Sequence, residues 1–304
     1  MNTWNQVTTT PSILGESPFW HPQELMLYWA DIAGFKLHRL NPFMGEIETW
    51  AMPSEPGCFA PAKNGGFIIA LRERIVRAQI WGGELHPLHT FAHDPKTTRA
   101  NDGKCDASGR FWAGTMYEPR DARKAQLWSY SLQEGAMLKQ GEATVANALA
   151  FSPDSKTIYW ADTPQHVIWA WDFDIATGAM SSQRIFKSFA SKPDGWTSGL
   201  KNNGGYFGRP DGAAVDTQGN LWVAMFEGQR VLQLSPSGDI LQDIPAPVLC
   251  CTMPAFGGDD MQTLYLTTAR HNRCEAELAR EPALGCIFSL RVNAAGLPVN
   301  FYQD

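Results

Sequence analysis

Four stretches of this sequence place a carboxylate or a carboxamide at nearly the same distance ahead of an aromatic-apolar run. Glu16 lies eleven residues before Leu27, Asn147 eleven before Ile158, and Asp211 ten before Leu221, while Asn101 and Asp102 lie ten and nine before Phe111. Two further runs of the same kind carry Pro56-Gly57 and Met253-Pro254 at the corresponding place. Taken singly, each residue reads as a turn former or cap, because NDG and PDG are common turn sequences. A shared phase changes the reading. If these groups meet, two carboxylates beside amide oxygens repel one another and drive one acid toward protonation. A divalent cation removes that conflict. All-oxygen donors of this type suit Ca²⁺, Mg²⁺ or Mn²⁺ and leave positions open for water or a substrate oxygen, which is a Lewis-acid site.

The elements that would bring such distant residues together are repeated strands. A Gly- or Asp-containing turn followed by an aromatic-apolar run occurs six times: LYWAD (27–31), FIIAL (67–71), FWAGT (111–115), IYWAD (158–162), LWVAM (221–225) and LYLTT (264–268). Their starts are 40, 44, 47, 63 and 43 residues apart, and most are followed by a second alternating run such as KLHRL or RVLQL. Strand-turn-strand units at this period predict propeller blades. A β-sandwich would have short strands too, but it does not require one phrase at a near-constant period. The expectation is an all-β chain forming one six-bladed β-propeller domain over residues 1–304, with an insertion at about 192–208 in the long interval and a metal site at one mouth of the central channel. The innermost strand of each blade lines that channel, so residues of equal phase ring one mouth. Trp29, Trp112, Trp160 and Trp222 sit inside the repeat and are expected in the core, whereas Trp196 and Tyr206 of the insertion are expected to be exposed.

Composition narrows the function. The formal charge of −6, with 25 Lys and Arg against 31 Asp and Glu, and the absence of a basic run give no footprint for nucleic acid or an anionic membrane. No apolar stretch approaches a membrane span, the N-terminal segment lacks the pattern of a secretory signal, and the six cysteines form no C-x-x-C pair. These features predict a cytoplasmic protein with reduced thiols, a monomer or weak homo-oligomer acting on a small molecule. His86, His89 and His93 in HPLHTFAH lack a supporting helix and are expected to be ordinary surface or loop histidines. GESPF is not G-x-S-x-G, so Ser17 is a poor nucleophile candidate.

The phrases LGESPFW (14–20), NDGKCDASGRFWAGTM (101–116), ANALAFSPDSKTIYWADT (146–163), PDGAAVDTQGNLWVA (210–224) and FGGDDMQTLYLTTAR (256–270) resemble, in order and over nearly the whole chain, the SMP-30/gluconolactonase/LRE family, also called the regucalcin family. The resemblance implies a six-bladed propeller with one divalent metal ion, Ca, Zn, Mn or Mg, held by Glu16, Asn147 and Asp211. It implies substrate contacts from Arg99 and Asn101. Two features depart from the family pattern. Ala148 stands where a Gly usually follows the ligand Asn, and the Glu that contacts sugar lactones in some members aligns near Pro119, with Glu118 one place early. KPDG at 192–195 repeats the PDG phrase, but only Asp211 is followed by an inner-strand sequence.

The resulting expectation is a metal-dependent lactonase that opens an aldonolactone to the aldonic acid. Asp211 would be both ligand and base, Asp102 or a hydroxide on the cation would be the alternative base, and Arg99, Asn101 and Glu118 would contact substrate. Phosphotriester or other ester hydrolysis at the same site, and a non-enzymatic calcium-binding regulatory role, are the competing readings.

Overall fold

The computed structural model describes residues 3–304. Six sheets of four antiparallel strands make six blades arranged as a β-propeller, as the repeat predicts. Their inner strands are Gly15–His21, Pro56–Pro61, Thr98–Cys105, Ala146–Phe151, Arg209–Val215 and Cys251–Gly257. Inner strands of neighbouring blades pack side by side, and the ring closes between the first and the sixth. Closure uses both ends of the chain: Asn5–Gln6 pairs with Phe288–Arg291 as the outermost strand of the sixth blade. A closed ring leaves only short edges, which blunts the tendency of open sheets to pair with other chains.

Burial follows distance from the axis. Every residue of GESPFWH in the first inner strand is buried, whereas EIETWA in the outer strand Glu46–Ala51 is almost wholly exposed. Trp112 and Trp222 are fully buried, and Trp29 and Trp160 nearly so. The turn aspartates explain their placement. Asp106 Oδ2 accepts from Trp112 Nε1 and Asp216 Oδ2 from Trp222 Nε1, each at 2.9 Å, while the Oδ1 atoms take backbone N–H groups of the turns DASGR and DTQGN. The aspartate of YWAD has a different task. Asp31 accepts from the backbone of Ile13 and Leu14, and Asp162 from Thr144 and Val145, so each ties the second strand of its blade to the chain entering the inner strand.

The two channel mouths differ. The C-terminal segment crosses one of them, through bonds from Leu297 N to Val215 O and from Tyr302 N to Pro61 O. A small cavity of 120 Å³ lies beneath Leu297, Pro298 and Asn300 at this end. The opposite end opens into a cavity of 500 Å³ lined by Glu16, Asn101, Asn147 and Asp211. The insertion carries a short 3-10 segment, Lys201–Gly205, and is exposed along most of its length, but Trp196 and Tyr206 are packed. Tyr206 is buried and donates to or accepts from His166 Nε2 at 2.8 Å, and half-buried Trp196 packs on Tyr206 with ring centroids 5.4 Å apart. The expected exposure of these two rings is thus corrected, because Gly-rich composition reports backbone freedom and not what the intervening aromatics pack against.

Candidate functional site

The open cavity is built at a repeated irregularity. All six inner strands slip register against their second strand near the start, between Glu16 and Phe19, Pro56 and Cys58, Ala100 and Gly103, Asn147 and Ala150, Pro210 and Ala213, and Cys251 and Pro254. A bulge frees a residue from the ladder and re-aims its side chain. Glu16, Asn101, Asn147 and Asp211 stand at or within these slips, which is why equal sequence phase becomes convergence. Gly212 marks how tight the turn is: a Cβ there would meet the Met253 side chain at 2.4 Å.

A chain of hydrogen bonds joins three blades. Arg99 Nη1 donates to Asn101 Oδ1 at 2.7 Å and to Ala100 O at 2.8 Å. Asn101 Nδ2 donates to Ala146 O at 2.9 Å and to Asn147 Oδ1 at 2.8 Å. Asn147 Nδ2 donates to Thr163 Oγ1, which donates in turn to the carbonyl of Pro210, the residue before Asp211, each at 2.8 Å. The network fixes the amide orientations: Asn101 uses both amide hydrogens inside the protein, and Asn147 turns its oxygen toward Asn101.

Electrostatics single out the same group. Glu16 is pushed well above the ordinary carboxylate range by burial, then by the charges of Asp211 and Asp102. Asp211 is also raised, by burial and then by Asp102. Burial lowers the Arg99 guanidinium, and Glu118 opposes that from 3.6 Å. Glu118 lines the cavity although it sits one place before the expected position, and it also pairs with Arg72 at 3.0 Å. Asp102 behaves differently from its neighbour Asn101. It does not line the cavity; its Oδ2 accepts from Leu149 N at 2.8 Å, and its Oδ1 is buried without a hydrogen-bond partner.

Residues 14–270 match the SMP-30/Gluconolactonase/LRE-like region. The chain belongs to that family. Among family relatives, a 6-deoxy-6-sulfogluconolactonase of Pseudomonas putida is 42% identical over 290 residues, 95% of each chain, and regucalcin of Danio rerio is 32% identical over 95% of this chain and 94% of its own. A solved structure of regucalcin from Agrobacterium tumefaciens superposes with a TM-score of 0.89 over 99% of this chain and 97% of that one, at 24% identity, which shows the fold.

The donor set fits the divalent cation that this family implies. Two buried carboxylates beside a carboxamide oxygen are hard ligands whose pKa stays raised despite the charge of Arg99, and the orphaned Asp102 Oδ1 behind them is a further acceptor without a donor. The set includes only two residues of the usual anionic or thiol/imidazole types; among the described residues no three His, Cys, Asp or Glu side chains form a metal-holding group. Of the histidines of HPLHTFAH, His86 is exposed and His89 half-buried on the strand His86–Thr90, and half-buried His93 meets Arg72 O through Nε2 at 3.0 Å.

Several cavity residues lie outside the candidate set drawn from the sequence: Thr163, Arg120, Arg209, His271 and Arg273. Most of them follow the second strand of a blade. Antiparallel pairing sets the end of that strand beside the start of the inner one, as in Gly15–Asp31, Ala146–Asp162 and Arg209–Phe226. The residues after YWAD and its equivalents therefore open onto the same mouth, and that rule is the signal by which they are found.

Proposed function

We propose that the protein is a hydrolase opening a sugar lactone to its aldonic acid. The observation that carries this reading is the convergence of Glu16, Asn147 and Asp211 on one cavity with Arg99 beside them, supported by membership of a family that includes a sugar lactonase 42% identical to this chain. Glu16, Asn147 and Asp211 would hold a divalent cation, which when bound supplies polarisation of the lactone carbonyl and charge compensation for the oxyanion. Asn101 is a positioning residue for Asn147 and Arg99, since its amide hydrogens are already taken. Arg99 and Glu118 would orient lactone hydroxyls, the guanidinium as donor and the carboxylate as acceptor. Asp211 would take the proton of the attacking water and return it to the departing ring oxygen as the acyl C–O bond breaks. Asp102 is enclosed beneath the cavity and would act on the site through its charge.

A panel of aldonolactones tests the reading: activity should be abolished by chelation, restored by divalent ion, and lost in Glu16→Gln and Asp211→Asn. Hydrolysis confined to phosphotriesters or other esters would move the assignment to those substrates. Tight ion binding without turnover of any of them would favour a regulatory role.

A further inference from the structure

One wall of the open cavity holds more positive charge than its acids balance. Arg209 Nη1 and Lys192 Nζ lie 3.0 and 2.8 Å from Glu227 Oε2, and Arg273 Nη1 lies 3.0 Å from Glu227 Oε1. Three cations thus share one almost fully buried carboxylate, with Glu277 reaching only Arg273, at 3.6 Å. Arg120 stands beside this cluster on the cavity wall, and among the described residues its guanidinium has no ion-pair or side-chain hydrogen-bond partner. It is solvent-accessible within the concavity; desolvation by the walls and then the charge of Arg209 lower its pKa.

Of the other acids of the cavity, Glu16 and Asp211 belong to the proposed cation site, where the charge of Asp211 also acts on Arg120, and the remaining two are engaged. Glu55 lies 2.6 Å and Glu118 3.0 Å from Arg72, and Glu118 also faces Arg99. The Phe226 ring, also in the cavity wall, is shared by two of the arginines: its centroid lies 5.2 Å from the Arg209 guanidinium and 5.7 Å from that of Arg273. Arg120 itself adopts a left-handed backbone, φ 61°, which costs a non-glycine residue about 1 kcal/mol and at functional sites fixes the direction of a side chain.

We infer that the substrate of this site carries an anionic group, a sulfonate, phosphate or carboxylate, remote from the lactone carbonyl, and that Arg120, flanked by Arg209 and Arg273, receives it. The inference rests on the lactonase reading for the ring and adds the chemistry of its far end. A guanidinium presents paired N–H donors that match two oxygens of such a group, and a 500 Å³ cavity falls within the range that encloses small ligands of this size.

Calorimetric titration of the purified protein, supplemented with one divalent cation, would compare gluconate with 6-phosphogluconate and glucarate. All three share the aldonate carboxylate, so only the distal group differs. The two ligands with a distal anion should bind at least tenfold tighter, and the ranking of phosphate against carboxylate identifies which anion fits better. Arg120→Met and Arg120→Gln should bring the ratio to within threefold, while the surface variant Arg184→Met should keep it. Equal affinities in the parent protein, or a preference surviving in both Arg120 variants, would overturn the inference. Lactone hydrolysis is assayed separately. Neutral lactones opened without anion preference would leave the lactonase reading standing alone, and anion preference without any lactone opening would remove that reading and keep the anion site.

Discussion

Asn101 Nδ2 donates to Asn147 Oδ1 at 2.8 Å across the boundary between the third and fourth blades. One residue thereby orients a proposed cation ligand on one side and, through Oδ1, the Arg99 guanidinium on the other. The link is buried in the wall of the open cavity.

Asn101→Ala should accordingly weaken two functions together. Losing a partner that orients a ligand lowers cation affinity by roughly 10-fold, and releasing Arg99 adds a misplacement of the sort that costs about 10²-fold in rate. Ion titration and steady-state kinetics on the same preparation measure both. A variant losing only substrate affinity, with the ion bound as tightly as before, would mean that Asn101 serves the substrate and not its neighbours.

Asp102 and Asp211 are separated by a second comparison. Asp211 faces the cavity and Asp102 does not, its Oδ2 being held by Leu149 N. Asp102→Asn retains an acceptor oxygen for that bond, so kcat should fall by less than about 10²-fold, the lower edge of what losing a general base costs. Asp211→Asn should lose well over about 10²-fold for the same reason of proton transfer, and its cation as well. Reversal of that order would make Asp102 the base.

How much of this was legible in the sequence depends on what each residue's position is tied to. Glu16, Asn147 and Asp211 could be found because the turn-strand phrase fixes their phase, and the inner-strand bulges recur at that phase. Outer strands such as Glu46–Ala51 are nearly all exposed and carry no alternation, so the fourth strand of a blade leaves little pattern. Closure of the sixth blade by Asn5–Gln6 is a contact across 280 residues or more that no local pattern encodes. Arg120, Arg273 and Glu227 lie in connections of variable length, where counting back from an aromatic run fails. Their shared mouth follows from pairing geometry and not from spacing.

Acid should act through Glu227. Burial pushes this carboxyl up, but Arg209, Lys192 and Arg273 together hold it below its ordinary value of 4.5. A depressed folded-state pKa gives stability that is present above 4.5 and lost as pH falls through the folded value. Glu227→Gln should lower stability near neutral pH by about 2 kcal/mol, the scale of charge-assisted bonds, and flatten the acid limb. Urea midpoints between pH 6 and pH 3 for both proteins provide the measurement, and parallel curves would show that the carboxylate's charge contributes nothing.

Ala148 offers the converse case, a residue whose replacement should help. It is fully buried, follows Asn147, and sits at φ 51° within the inner-strand slip where the family usually places glycine. A side chain in the left-handed region costs about 1–2 kcal/mol. Glycine relieves that strain but raises the entropy of the unfolded chain by about 0.4–1 kcal/mol, so Ala148→Gly should be stabilising by roughly 0.5 kcal/mol. The bond from Asn101 to Asn147 and the backbone path are unchanged by losing a methyl group, so cation affinity should stay within twofold. Thermal and urea unfolding with and without ion tests both halves. A destabilised Ala148→Gly protein would mean that the Ala148 methyl group fills space between blades whose packing outweighs the backbone strain.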